Sequence, residues 1–215
     1  MTSATRLVLL RHGEAVGNRE LRYLGTTDAP LTPEGERQAE QLARGLAGYP
    51  LAALYTSPLL RAKRTATIVG VALALPPIIE PALREQDFGA WENHTRAEVH
   101  AEAPDRLAAW ERGEAAPPDG ESQVAVTERI VALADQLAAQ HAGEMVALAS
   151  HVGPIKALVA AAVGLPPVGA QRMWLDTASI CVVEWRRDEH GRTAGMLRVF
   201  NATAHLDPPA RWLRP

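Results

Sequence analysis

Short apolar runs that alternate with amphipathic helical stretches constrain this chain more than any other feature. Leu7, Val8, Leu9 and Leu10 form one continuous run, closed by a charged residue and a glycine, the pattern of a strand buried on both faces. Comparable runs recur at residues 51–55, 145–149, 180–185 and 196–200, with a briefer one at Ile78 and Ile79 after two prolines. Between them lie helical faces: Ala39, Leu42, Ala43 and Leu46, then Ala62, Ala66, Val69 and Leu73, then Val126, Ile130, Leu133 and Leu137. A last helical run follows Pro154 as far as Val163. Thr32-Pro33 and Ser57-Pro58 predict the first two helix starts, each with a hydroxyl able to cap and a proline suited to the first helical position.

Strands alternating with helices predict an α/β fold: a three-layer sandwich with a mainly parallel central sheet and helices on both faces. Residues 88–120 break the rhythm and are more mixed in polarity, so they are expected to form a small helical cap inserted into a single domain, 1–215. With 215 residues and 47% apolar content, one continuous core is affordable. The Pro- and Gly-bearing stretch 113–120 is short and flanked by helical patterns, which makes it a surface loop rather than a linker. No internal repeat or low-complexity tract is present.

The net charge of −3 comes with no basic run, which argues against a nucleic-acid partner. The longest apolar run, 157–165, stops at Pro166 and Pro167, too short to span a membrane, and the N-terminal run is too short for a signal peptide. Cys181 is the single cysteine and cannot form an internal disulfide, so a reducing, cytoplasmic setting is expected. Within Ile180, Cys181, Val182 and Val183 it reads as a small buried apolar side chain. No HExxH motif and no carboxylate cluster with ligand spacing occurs; His94 and His100 are six apart, off the spacing of a helical metal site. No metal and no cofactor are expected.

The polar residues that interrupt this pattern fall at equivalent places. Arg11 and His12 follow the first strand, Arg61 follows the second, and His151 follows the fourth. In open α/β sheets ligands bind beyond the carboxyl ends of the strands, so residues far apart in sequence can converge there. Two arginines can grip phosphate oxygens through planar, charge-assisted hydrogen bonds, and Arg61 near a helix N-terminus adds backbone N–H groups that favour an anion. A neutral imidazole is a competent nucleophile near neutral pH.

The run Leu7-Val8-Leu9-Leu10-Arg11-His12-Gly13-Glu14 resembles the histidine phosphatase superfamily, which includes the cofactor-dependent phosphoglycerate mutases and carries an Arg-His-Gly triplet at the end of its first strand. Four further matches follow in family order: Asn18, Ser57-Pro58-Leu59-Leu60-Arg61-Ala62, the stretch from Leu83 through Glu85 to Glu92, and Ser150-His151-Val152-Gly153-Pro154-Ile155-Lys156. The resemblance implies a phosphate-monoester hydrolase acting on a small phosphorylated metabolite through a phosphohistidine. His12 would be the nucleophile and Glu85 the general acid, with Arg11, Arg61, Asn18 and His151 on the phosphoryl oxygens. Leu24, Gly25 and Val152 complete the expected substrate-binding set. Asp87 and Glu92 are read as surface or structural, and Glu14 as an outer partner.

Three positions depart from the family pattern. Val152 replaces a common glycine, Lys156 a common arginine, and Leu24 a frequently polar residue, the last arguing against a substrate highly polar beyond its phosphate. The segment 88–144 is shorter than the insertion of the mutases resembled here, and Pro117-Pro118-Asp119-Gly120-Glu121-Ser122 is similar to loops of the phosphatase branch. The expected relatives are therefore α-ribazole phosphatase and broad-specificity phosphatases. A phosphoglycerate mutase and a catalytically silent binder of phosphorylated ligands are the alternatives, with a monomer or homodimer in either case. The cap offers Trp91, His94, Arg96, His100, Arg106, Trp110 and Arg112, which either overhang the phosphate pocket and suit a sugar or nucleotide-like phosphate or, for the two tryptophans, pack beneath the cap as core.

Overall fold

The computed structural model describes residues 3–187 and 193–207. Six strands form one sheet: β1 (Thr5–Arg11), β2 (Leu51–Thr56), β3 (Pro77–Ile79), β4 (Met145–Ser150), β5 (Ile180–Arg187) and β6 (Thr193–Ala202). Their order is β3-β2-β4-β1-β5-β6. The first four in that order pair in parallel; β5 and β6 are added antiparallel, so the sheet is mixed and mostly parallel.

Alternation along the strands divides the core. Leu7 and Leu9 of β1, with Tyr55, Val146 and Leu148, face α5 (Gln123–Gln140) and α6 (Val152–Ala162). Val8 and Leu10, with Leu54, Ala147 and Ala149, face α1 (Pro33–Leu46) and α2 (Leu60–Leu73). Each leucine so buried contributes about 2 kcal/mol. Cys181 is among the buried residues, and burial pushes its thiol up to about 11, as a packed rather than reactive side chain requires. None of the helices among the described residues is long and apolar enough to cross a membrane.

Helix α1 starts where the sequence predicts, with Thr32 Oγ1 accepting from Gly35 N–H at 3.1 Å and Pro33 in the first turn. Helix α2 does not. It begins at Leu60 rather than at Pro58; the Ser57 hydroxyl accepts from Leu59 N–H at 3.3 Å and also meets His151 Nε2 at 2.8 Å. The Leu60 N–H is instead capped from a distant loop, by Asp28 Oδ1 at 2.6 Å.

Residues 88–120 hold a 3-10 turn (Gly89–Trp91) and two short helices, α3 (Arg96–Glu102) and α4 (Pro104–Glu111). Trp91, Val99, Leu107 and Trp110 bury together, with Tyr23 and Phe88 packed on them. The stretch 113–120 is loop, as expected.

The end of β1 meets α1 through close backbone approach as well as through Gln38 and Thr32 side chains, which bond to Glu14. A Cβ on Gly13 would lie 2.2 Å from the Gly35 carbonyl oxygen, and one on Gly35 would lie 2.0 Å from the Glu14 carbonyl oxygen. Only glycine fits at either place. Helix propensity alone predicts that Gly35→Ala stabilises the protein by about 1 kcal/mol. The contact predicts the opposite, a loss of about 1–3 kcal/mol in chemical denaturation; a variant as stable as wild type or more so contradicts the close approach.

Candidate active site

The parallel pairing of β1 with β4 continues one step past Arg11, through His12 N–H to the Ser150 carbonyl at 3.1 Å. This brings His12 and His151 side by side at the carboxyl ends of two neighbouring strands. Their ring centroids are 5.0 Å apart and the rings are tilted by 58°. His12 is 2% exposed and its Nδ1 lies 2.6 Å from the Gly13 carbonyl oxygen. A carbonyl can only accept, so Nδ1 carries the proton and Nε2 keeps its lone pair. His151 is wholly buried; Nε2 meets Ser57 Oγ at 2.8 Å and Nδ1 has no hydrogen-bond partner.

Arg61, on the first turn of α2, is 1% exposed. Its Nη1 donates to the Thr27 carbonyl and its Nη2 to the Gly25 carbonyl, both at 2.7 Å, while Nε is unpartnered. Arg11 donates through Nη1 to the Leu175 carbonyl at 2.6 Å, and its Nε is likewise unpartnered. Both guanidinium groups are thus held by neutral carbonyls, leaving several N–H groups for an anion. Glu85 stands beside them. Its Oε1 accepts from Gln86 N–H at 2.8 Å and from Gly153 N–H at the start of α6 at 3.0 Å. A Cβ on Gly153 would come 2.4 Å from that oxygen, so the carboxylate approaches α6 only because residue 153 is glycine.

Burial sets the charges. Removal from water pulls Arg11 down to about 10 and lowers Arg61, with Glu85 opposing both shifts; at neutral pH both stay cationic. Burial and the two nearby arginines hold His12 well below the usual histidine range, and His151 likewise. Both imidazoles are neutral at physiological pH.

These groups floor a cavity of about 450 Å³. Of the residues singled out from sequence, Arg11, His12, Asn18, Leu24, Arg61, Glu85 and Val152 line it. Asn18 Oδ1 accepts from Ala15 N–H at 2.9 Å. Gly25 and His151 do not form the wall: Gly25 acts through its carbonyl on Arg61, and His151 lies beneath, against His12. In the cap, Arg96 and Trp110 reach the cavity, whereas Trp91, His94, His100, Arg106 and Arg112 do not. Trp91 is core, and Trp110 is both core and wall. Glu92 is structural, accepting from Thr26 and Thr27, and Glu14 pairs with Arg19 at 2.9 Å.

Sequence reasoning missed a wall. Met173, Trp174 and Leu175, after the 3-10 turn Pro167–Arg172, line the cavity together with Gln123 and Thr127 of α5. Trp174 is 63% exposed, and its indole N–H is tied to Asp176 at 3.2 Å. A tryptophan between a helix end and a strand was the available signal. Arg129 was missed as well: it donates to the Ala82 and Glu85 carbonyls at 2.7 and 3.2 Å and pairs with Glu121 at 2.8 Å, bracing the segment that carries Glu85. Among the described residues no group of three or more His, Cys, Asp or Glu side chains could hold a metal ion.

The family model described as histidine phosphatase superfamily (branch 1) matches residues 7–194. The chain belongs to that superfamily. A bifunctional protein of Mycobacterium tuberculosis is 36% identical over 204 residues, covering 94% of this chain and 55% of that protein, so the chain spans about half the length of this relative. A protein of Yersinia enterocolitica named as a probable phosphoglycerate mutase is 31% identical, covering 95% of this chain and 96% of the relative. The solved structure of a mycobacterial glucosyl-3-phosphoglycerate phosphatase with VO3 superposes with a TM-score of 0.83 at 32% identity, covering 92% of this chain and 99% of the other.

The neutral histidines make stability depend on pH. Their folded pKa values lie below the unfolded value near 6.5, so the unfolded chain binds more protons below that pH. Stability is full above pH 6.5 and falls on acidification, each group approaching about 1.4 kcal/mol per pH unit. His205, also lowered by burial, adds to the slope. Denaturation midpoints measured between pH 7 and 5.5 should fall for wild type and fall less steeply for His151→Asn. Equal slopes in the two proteins contradict buried neutral histidine at this site.

Proposed function

We propose that the protein is a metal-independent phosphate-monoester hydrolase that works through a phosphohistidine on His12. One observation carries the reading most directly: His12 is a buried neutral imidazole whose Nδ1 proton is fixed by the Gly13 carbonyl, beside the buried guanidinium of Arg61 and the half-buried one of Arg11, neither of which makes an ion pair with a carboxylate among the described residues.

A monoester brings about two negative charges. Arg11, Arg61 and the Asn18 amide receive its non-bridging oxygens. Ser57, accepting from Leu59 N–H, can give its own O–H to His151 Nε2, which leaves Nδ1–H of His151 as a further donor. His12 Nε2 attacks phosphorus while the ester P–O bond breaks. Glu85, protonated in this step, hands its proton to the departing oxygen, and the alcohol leaves. The Glu85 carboxylate then takes a proton from a water that attacks the phosphohistidine. Inorganic phosphate is released, and His12 and the acid are restored. The charge that builds on the phosphoryl oxygens meets donors already in place, so reorganisation is small.

Hydrolysis needs water at the phosphohistidine, and the cavity reaching the floor supplies a route. The solved relative named as a phosphatase favours hydrolysis, and the relative named as a mutase keeps transfer between hydroxyls as the second reading. The substrate is a small phosphorylated metabolite, and the single buried cysteine fits a reducing, cytoplasmic setting.

Turnover of 4-nitrophenyl phosphate should persist in a chelator and disappear in His12→Ala that remains folded by circular dichroism. Chelator-sensitive turnover, or a variant that retains activity, overturns the mechanism. Glu85→Gln separates the acid from a structural role. General acid catalysis contributes about 10²–10⁴-fold, so alkyl phosphates should lose rate on that scale while 4-nitrophenyl phosphate, with its stable leaving group, loses far less. Equal losses on both contradict Glu85 as proton donor.

A further inference from the structure

The cavity wall holds three cations beyond the two that phosphoryl binding uses, Arg22, Arg96 and Lys156, and one of them is uncommitted. Lys156 sits on the second turn of α6, on the helix face shared with Val152, Gly153 and Ala157, and all four line the cavity. Among the described residues it makes no hydrogen bond or ion pair. The outer cations are committed: Arg22 pairs with Glu98 at 3.0 Å and donates to the Asn93 carbonyl at 2.5 Å, and Arg96 holds Glu111 through two N–H groups. Burial lowers the Lys156 ammonium, with Glu85 opposing and Arg11 adding to the shift, so the three groups share one field. A half-buried ammonium with no partner costs free energy that an incoming anion can recover.

We propose that Lys156 holds a second anionic group, a carboxylate or a second phosphate, on the leaving half of the substrate. This rests on reading the cavity as a phosphomonoester site. The direction follows from Glu85, which gives its proton to the leaving oxygen and is bonded to Gly153 N–H, three residues before Lys156 on the same helix. Lys156 therefore lies on the side where the alcohol departs. Its compact, rotatable ammonium suits a carboxylate or phosphate oxygen without demanding the two-pronged geometry of arginine. Gln86 and Gln171 line the same cavity with amides, and Met173 and Trp174 offer apolar surface for a carbon skeleton. The substrate class is then a monoester bearing two separate anions, more polar than Leu24 alone suggests.

The test compares two pairs of substrates, 3-phosphoglycerate with glycerol 3-phosphate, and fructose 1,6-bisphosphate with fructose 6-phosphate, on wild type, Lys156→Met and Lys156→Arg. A charge-assisted hydrogen bond predicts that wild type prefers the doubly anionic member of at least one pair by about 10–100-fold in kcat/KM. Which pair shows the preference distinguishes carboxylate from phosphate. Lys156→Met should erase it, mainly through KM, and Lys156→Arg should restore part. No preference in either pair, or one that survives Lys156→Met, overturns the proposal. A uniform loss on all substrates with a displaced pH profile also overturns it, because Lys156 would then act through Glu85. If wild type turns over neither these esters nor 4-nitrophenyl phosphate, the phosphatase reading fails. Competition among the same pairs for binding, read by tryptophan fluorescence, then decides on Lys156 by itself.

Discussion

Two guanidinium groups withdrawn from water, Arg61 buried and Arg11 half-buried, with no carboxylate ion pair among the described residues, are the constraint on which the site depends. Desolvating a cation costs several kcal/mol even after relaxation. Arg61 and Arg11 recover part of this through carbonyl oxygens of Gly25, Thr27 and Leu175, which are dipoles and not charges. The remaining positive field has two consequences. It adds to burial, the larger cause, in keeping His12 and His151 neutral. It also leaves the floor of the cavity favourable to a dianion, since one oxygen of the neighbouring carboxylate, Glu85, accepts from the backbone N–H groups of Gln86 and Gly153.

The fold makes this arrangement affordable. Parallel β1, β2 and β4 end together, so Arg11, His12, Ser57 and His151 emerge within one crevice although they come from separate parts of the chain. Large apolar clusters on both sheet faces carry the stability that the polar end does not supply. Close contacts then fix the geometry. Gly13 against Gly35 sets β1 on α1, and Gly153 beneath Glu85 sets that carboxylate on α6. Arg129 ties the segment carrying Glu85 to α5 through two carbonyls.

Much of this was legible in the sequence because it rests on short-range patterns. Continuous apolar runs and helical apolar spacing revealed the strands and main helices, and Arg-His-Gly at a strand end marked His12 as the candidate nucleophile. What escaped depends on long-range partners. Ser57-Pro58 has the composition of a helix start, yet the Ser57 hydroxyl meets His151, 94 residues away, and α2 begins later. The cap tryptophans look alike in sequence; packing makes Trp91 core and gives Trp110 a second face on the cavity. The wall of Met173, Trp174 and Leu175 carries no motif, because a wall needs only shape and apolar surface. Lys156 was visible as a departure from the family pattern, but its lack of a partner is a property of the folded chain alone.

The central claim is that the phosphoryl group passes through His12. Rapid acid-free quenching of enzyme mixed with 32P-labelled substrate, followed by peptide mapping, tests it most directly. The account predicts a transient label that is stable to alkali, labile to acid and located on the peptide containing His12, and that is absent from His12→Ala. Turnover by folded wild-type enzyme with no such label, or with label on another residue, would contradict it.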